Sequence, residues 1–359
     1  MTTERWDVLV VGAGPAGSTA ARAAAERGAR VLLLDGARFP RYKTCGGGMI
    51  GASLALLPPT ALATIERTVS TATFSLRGGP PRRIRSTRPF LSLVRREVLD
   101  QALVDAAVAA GADFQDRTRV TALHEVDGGV EVTLPGGTVL ADVVVGADGS
   151  SGVVGRYVGV RIARSDLGLE VELAGADPAW ADRVHLDWGA DAGTYGWVFP
   201  KGDRLTVGVI QRKGEGAATR AYLARLLDGL GLADRERLHD SGHLTRWREP
   251  GSPVRRGRVL VAGDAAGLLE PLTREGISFA LRSGLAAGAA AAAGAEALAD
   301  YESSVADELE PEQRSGARLL SVLERAPGLA HLAVTRTGAG ASRFVRFSRG
   351  EVGLSLRGR

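Results

Sequence analysis

Trp6–Val11 and Val31–Asp35 are short apolar runs, and the stretch between them, Pro15–Arg27, has the composition of a helix. Strand, glycine turn, helix and strand within about thirty residues make a βαβ unit, because unbroken apolar runs suit parallel strands buried on both faces. A loop, Phe39–Gly48, ends in three consecutive glycines. From Arg96 to Ala110, Val98, Leu99, Leu103 and Ala106 fall on roughly one helical face. Between Arg117 and Val145 the period changes to alternating strands, with turns at Asp127–Gly129 and Pro135–Gly137. Arg161–Gln211 reads as β-rich and Ala217–Leu238 as an amphipathic helix. Arg258–Ala262 returns to the parallel-strand style, Gly276–Ala293 and Ala297–Leu323 read as helices, and a basic tail follows. The expected architecture is α/β: a Rossmann-type domain made of 1–70, 95–160 and 255–293. A β-sheet substrate domain, 71–94 and 161–254, interrupts it, and a C-terminal helical segment with its tail occupies 294–359.

Composition narrows the classes. At 359 residues, 45% hydrophobic and 24% charged, the chain is neither disordered nor a disulfide-stapled miniprotein. Its net charge of +4 is too slight and too scattered for a nucleic-acid surface. A single cysteine, Cys45, allows no internal disulfide and suggests a reducing cytoplasm. No secretory segment is expected ahead of the strand at Asp7–Val11, and Leu285–Ala299 is too rich in Ala and Gly to span a bilayer. His239 and His243 have i, i+4 spacing without a third ligand, so no metal site is expected.

Gly12-Ala13-Gly14-Pro15-Ala16-Gly17 matches G-x-G-x-x-G between a strand and a helix. Gly12 permits the tight turn, Gly14 lets backbone approach a pyrophosphate, and Gly17 lets helix and strand pack closely. The helix N-terminus offers unpaired N–H groups to phosphate. Asp35 ends the second strand, where a carboxylate accepts ribose hydroxyls and repels a 2′-phosphate, which disfavours NADP in this cradle. A second strand runs into Gly263-Asp264, whose aspartate suits ribityl hydroxyls, and Gly276-Ile277 at a helix start can aim N–H groups at a flavin pyrimidine ring. The pair of motifs favours FAD over NAD.

With these residues in place, the chain resembles the geranylgeranyl reductase family, within the flavoproteins related to p-hydroxybenzoate hydroxylase. The resemblance rests on five blocks: Val11–Gly17, Pro40–Gly48, Arg96–Asp100, Tyr195–Pro200, and Gly263–Gly267 through Pro271 to Glu275–Ile277. The second and fourth are the more specific to the reductases. It implies that Arg96 contacts the phosphate or ribose of FAD, that Val120 offers backbone to adenine, and that Asp148 lies near the pyrophosphate. An Asx turn is the competing reading for Asp148.

The resemblance also places Gly46, Gly47 and Gly48 where backbone and substrate approach the isoalloxazine ring. Cys45 and Tyr195 become candidate proton donors, against a buried structural thiol for Cys45. Lys43 is read as orienting this loop or attracting an anion, against a solvated charge. Tyr195, Trp197 and Phe199 alternate with period two and so share one strand face, a flat apolar wall that, with Pro200, suits an isoprenoid. The alternative is an ordinary sheet core.

Three departures stand out. Arg274 occupies a family glycine, which alters the loop or adds a cation for an anionic substrate. Gly152 and Gly155 replace an expected serine and arginine. The chain is shorter than typical members in the C-terminal helical part that shapes the lipid tunnel. The tail Arg343–Arg359, with Phe344 and Phe347, reads first as a solvated, frayed terminus and second as a contact to an anionic membrane.

The expected activity is FAD-dependent reduction of a carbon–carbon double bond in a hydrophobic, isoprenoid-like or secondary-metabolite substrate, with NAD(P)H or a ferredoxin or flavin carrier as donor. A flavin monooxygenase or halogenase is the alternative, and a flavin-holding protein without turnover is a third. The expected location is cytoplasmic or membrane-peripheral.

Overall fold

A computed structural model describes residues 4–189 and 191–353. The amino-terminal strand Arg5–Val11 lies at the centre of an eight-stranded sheet. It pairs in parallel with Val31–Leu34 on one side and Gly137–Gly146 on the other. Asp113–Gln115 and Val259–Val261 extend the parallel part outward. All four residues of Val31–Leu34 are buried, as a strand covered on both faces requires. Helix Pro15–Ala25 covers one side and packs along Ile277–Ala293. The Ala/Gly composition of that second helix lets the two backbones approach closely: a Cβ at Gly284 would lie 2.3 Å from the Ala16 carbonyl oxygen.

A seven-stranded, mainly antiparallel sheet runs in the order Arg237–Arg248, Ile162–Ala174, Arg204–Arg212, Tyr195–Lys201, Arg183–Trp188, Thr71–Leu76, Arg82–Arg85. Helix Gly216–Gly229 seals one face through Tyr222, Leu223, Leu226 and Leu227. The opposite face turns towards the parallel sheet and carries Glu170, Trp197 and Phe199 to a shared cavity. A three-stranded sheet, Gly48–Met49, Leu91–Val94 and Ile65–Val69, ties the triple-glycine loop to the remainder of the fold.

Two expectations need correction. The helix expected over Ala217–Leu238 ends at Gly229, and Arg237–Arg248 is a strand paired with Ile162–Ala174, so His239 and His243 lie on a strand. The expected frayed tail is instead folded: helices Pro327–Arg336 and Gly338–Ser348 pack back on the large sheet. Phe344 meets Phe74 and Phe90 edge-on, with centroids 5.1 and 5.5 Å apart, and Arg349 donates to the carbonyls of Arg88 and Pro89. Residues 354–359 of that tail lie outside the described part.

Candidate active site

One continuous cavity of about 1280 Å³ joins the glycine cradle, the triple-glycine loop, the aromatic wall and the C-terminal helices. Drug-sized sites span about 300–1,000 Å³, so this volume suits a dinucleotide together with a second molecule.

At the cradle end, Gly12 has φ +97°, and a Cβ there would strike the Ala147 carbonyl oxygen at 2.3 Å. A Cβ at Gly17 would lie 1.7 Å from the Gly12 carbonyl oxygen, which is the close packing expected of the third glycine. Helix Pro15–Ala25 has Pro at its start and no side-chain cap, leaving first-turn amides for an anionic ligand. Asp35 uses one carboxylate oxygen to accept from the Ala13 N–H and the other from the Ala37 N–H, each at 2.8 Å. It therefore braces the cradle while remaining on the cavity wall with free lone pairs. Val120 lines the same end.

Asp148 accepts from the Val154 N–H at 3.0 Å, capping helix Val153–Val158, while its buried Oδ1 has no partner. Burial raises its carboxyl above the ordinary value. The departures at Gly152 and Gly155 have a steric cause: added Cβ atoms would meet the Asp148 carboxylate and the Ala265 carbonyl oxygen at 2.0 and 2.6 Å.

Arg96 is buried and pairs with Asp100 at 2.8 and 2.9 Å. Arg96 also lines the cavity, and Asp100 is shared with Arg41, so the single carboxylate does not balance both guanidiniums. Arg41, which no motif reading singles out, lies beside the cradle. Its Nη2 would lie 3.5 Å from a Cβ at Gly14, and its Nη1 is 3.2 Å from Asp100. The signal was the paired Arg41 and Lys43 within Pro40–Gly48. Burial and Arg96 together hold the Lys43 ammonium below its usual value, opposed by Asp264. Burial alone would raise the Asp264 carboxyl, but His243, at 3.6 Å, with Lys43 and Arg96 outweighs it and holds it low. Gly263 lies behind Asp264 with its N–H donating to Ser283 Oγ, and Gly276 and Ile277 line the cavity.

The triple-glycine loop is gripped from the large sheet. The Cys45 N–H donates to Glu170 Oε1 at 3.0 Å, and Lys201 Nζ donates to the Cys45 carbonyl at 3.4 Å while pairing with Glu172. Gly47 has φ +69°, and a Cβ there would meet the Val94 carbonyl oxygen at 2.1 Å. Gly46 and Gly48 abut the aromatic wall, with Phe199 ring carbons 3.0–3.1 Å from their added Cβ positions. Their missing side chains therefore make room for the wall as well as for the cavity.

Tyr195, Trp197 and Phe199 all line the cavity, but Pro200 does not. It falls on the opposite face of the strand from Phe199, so its place among the substrate residues is withdrawn. Tyr195 donates its hydroxyl to the Thr273 carbonyl, and burial raises its pKa. Arg274, at φ +56°, pairs with fully buried Asp166 at 2.7 Å and donates to the carbonyls of Leu272 and Gly193. Its charge is spent inside the protein, which removes the expected role towards an anionic substrate.

Glu170 is a further candidate that no motif marks. It is 1% exposed yet lines the cavity, and Oε2 has no hydrogen-bond partner. Burial pushes its carboxyl up to about 7, with Lys201 opposing and Glu172 reinforcing. Tyr42 donates to Oε1 at 3.3 Å and exchanges a hydrogen bond with Ser241 at 3.2 Å. Acidic residues alternating with apolar ones in Leu167–Leu173 were the available signal.

The FAD binding domain family matches residues 5–180. Digeranylgeranylglycerophospholipid reductase of Methanothrix thermoacetophila is 30% identical over 83% of this chain and 82% of its own length. The chain belongs to the geranylgeranyl reductase family of FAD-dependent oxidoreductases. A menaquinone reductase of Mycobacterium tuberculosis is 31% identical over 77% of this chain and 74% of its own. Among solved structures, a geranylgeranyl bacteriochlorophyll reductase-like protein from Thermoplasma acidophilum has a TM-score of 0.80 at 23% identity, covering 89% of this chain and 88% of that one. The flavin-dependent brominase Bmp2 has a TM-score of 0.78 at 20% identity, covering 96% and 94%; at such identities the likeness concerns the fold. Within this family the cradle residues fit FAD: uncapped amides, Asp35, Val120 and Asp264 line one end of a cavity large enough for it.

Proposed function

We propose that the enzyme saturates a carbon–carbon double bond in an isoprenoid-like hydrophobic substrate. The supporting observation is the apolar continuation of the cavity beyond the aromatic wall, through Phe74, Leu91, Val184, Leu186, Val334 and Phe344. Such a lining holds an extended hydrocarbon by burial of apolar surface.

Reduced FAD, when bound, supplies the hydride for this chemistry. Gly12, Gly14 and the first-turn amides of Pro15–Ala25 hold its phosphates, Asp35 and Val120 its adenosine end, and Asp264, Gly276 and Ile277 its flavin end. Trp197 and Phe199 orient the alkene against the Gly46–Gly48 backbone. Glu170 carries the proton for the second alkene carbon on Oε2, the oxygen without a partner. Ser241 and Tyr42 form the hydrogen-bonded path by which that proton is replaced. Cys45 is held in this arrangement by its N–H to Glu170, so it positions the loop. The electron donor is NAD(P)H or a ferredoxin or flavin carrier.

The test is product mass. Purified, reduced enzyme offered a panel of polyprenyl lipids and prenylated quinones should yield a species heavier by about 2 Da, the mark of added hydride and proton. A gain of about 16 Da would mark oxygen insertion and overturn the proposal.

A further inference from the structure

We infer that the C-terminal helices form a docking surface for an anionic lipid bilayer, set at the mouth of the cavity. Four large apolar residues protrude from a short stretch of these helices: Leu319 at 38% exposure, Val322 at 55%, Leu329 at 71% and Leu332 at 45%. Leu319 and Val322 are also cavity-lining residues, so the apolar patch and the cavity are continuous. Leu329 and Leu332 share one side of helix Pro327–Arg336, while Ala330, Ala333 and Val334 on the adjoining side line the cavity.

Charge fixes the chemistry of the partner. From Arg325 to Gly350 the chain carries five arginines and no acidic residue. The acidic residues bordering this stretch are already engaged, Glu324 with Arg164 and Glu351 with Arg88, Arg346 and Arg349. Arg325, Arg336 and Arg343 are left to face outward charge, and Arg343 lies on the cavity wall itself. Exposed leucines beside uncompensated arginines match an acyl region under anionic headgroups, where apolar burial and electrostatic attraction add. Among the described residues no helix is long and apolar enough to cross a membrane, so this contact lies on the surface. It differs from the membrane contact expected of the tail, because Phe344 is turned inward against Phe74 and Phe90.

The inference complements the lipid-substrate reading, but its test needs neither substrate nor turnover. The full chain, loaded with FAD, is sedimented with vesicles of phosphatidylcholine alone or mixed with phosphatidylglycerol. The expected result is binding to the mixed vesicles, weakened by salt and about tenfold weaker in the double variant Leu329→Asp/Leu332→Asp. Both side chains are solvent-facing, so the variant should keep its flavin and its melting temperature, and those readings confirm that it is folded. Three results would overturn the inference: no preference for anionic vesicles, unchanged binding by the double variant, or a leucine-dependent dimer in solution that does not bind vesicles.

Discussion

A carboxyl that titrates near neutrality inside a hydrophobic cavity is a general acid in waiting, and Glu170 has that character because burial disfavours its charge. Glu170→Gln keeps an acceptor for the Cys45 and Tyr42 donors but cannot release a proton. It should lower kcat by about 10²-fold or more, with bound FAD and KM unchanged, in steady-state assays. In the parent enzyme kcat should fall as pH rises through about 7, where Glu170 deprotonates, and the variant should lose that limb. Stability carries the same sign. The folded carboxyl binds protons more tightly than an ordinary glutamate at 4.5, so its contribution is full below that value and lost as pH rises through about 7. Melting temperature measured across that interval should decline less steeply in the Gln variant. The nucleotide cradle was legible because glycine spacing reports backbone geometry directly. Glu170 was not, because its meaning depends on strand pairing that brings residue 170 beside residue 45.

Elements were readable where the local pattern and the tertiary partner agree. The βαβ start and the Tyr195–Lys201 strand have periods that name their buried faces. The helix expected over Ala217–Leu238 ends at Gly229 because Arg237–Arg248, with little strand character of its own, is shaped by pairing with Ile162–Ala174. Arg274 shows the same limit. It has a left-handed backbone that suits glycine, yet it neutralises Asp166, which is 0% exposed. Removing the backbone strain would gain about 1 kcal/mol; against it, Asp166 loses both Arg274 hydrogen bonds on Oδ2 and keeps only the Arg164 pair on Oδ1. Arg274→Gly should therefore lower stability in denaturant melts despite restoring the family's residue, and Asp166→Asn should recover part of the loss.

For the whole molecule, the central feature is a cavity that begins at the FAD cradle and ends beneath the C-terminal helices. Phe344 lines its apolar end and packs against Phe74 and Phe90. Phe344→Ala should lower stability by removing the contacts with Phe74 and Phe90. Assays with long and short prenyl chains should show KM rising more for the long ones, with flavin content unchanged. That packing was invisible in a basic, glycine-containing tail, whose order comes from distant strands rather than from its own pattern. The most direct test of the account follows flavin absorbance in the reduced enzyme, mixed anaerobically with a polyprenyl lipid. The account predicts flavin reoxidation without oxygen, matched mole for mole by saturated product. Flavin that stays reduced until oxygen is admitted, and then yields an oxygenated product, would contradict it.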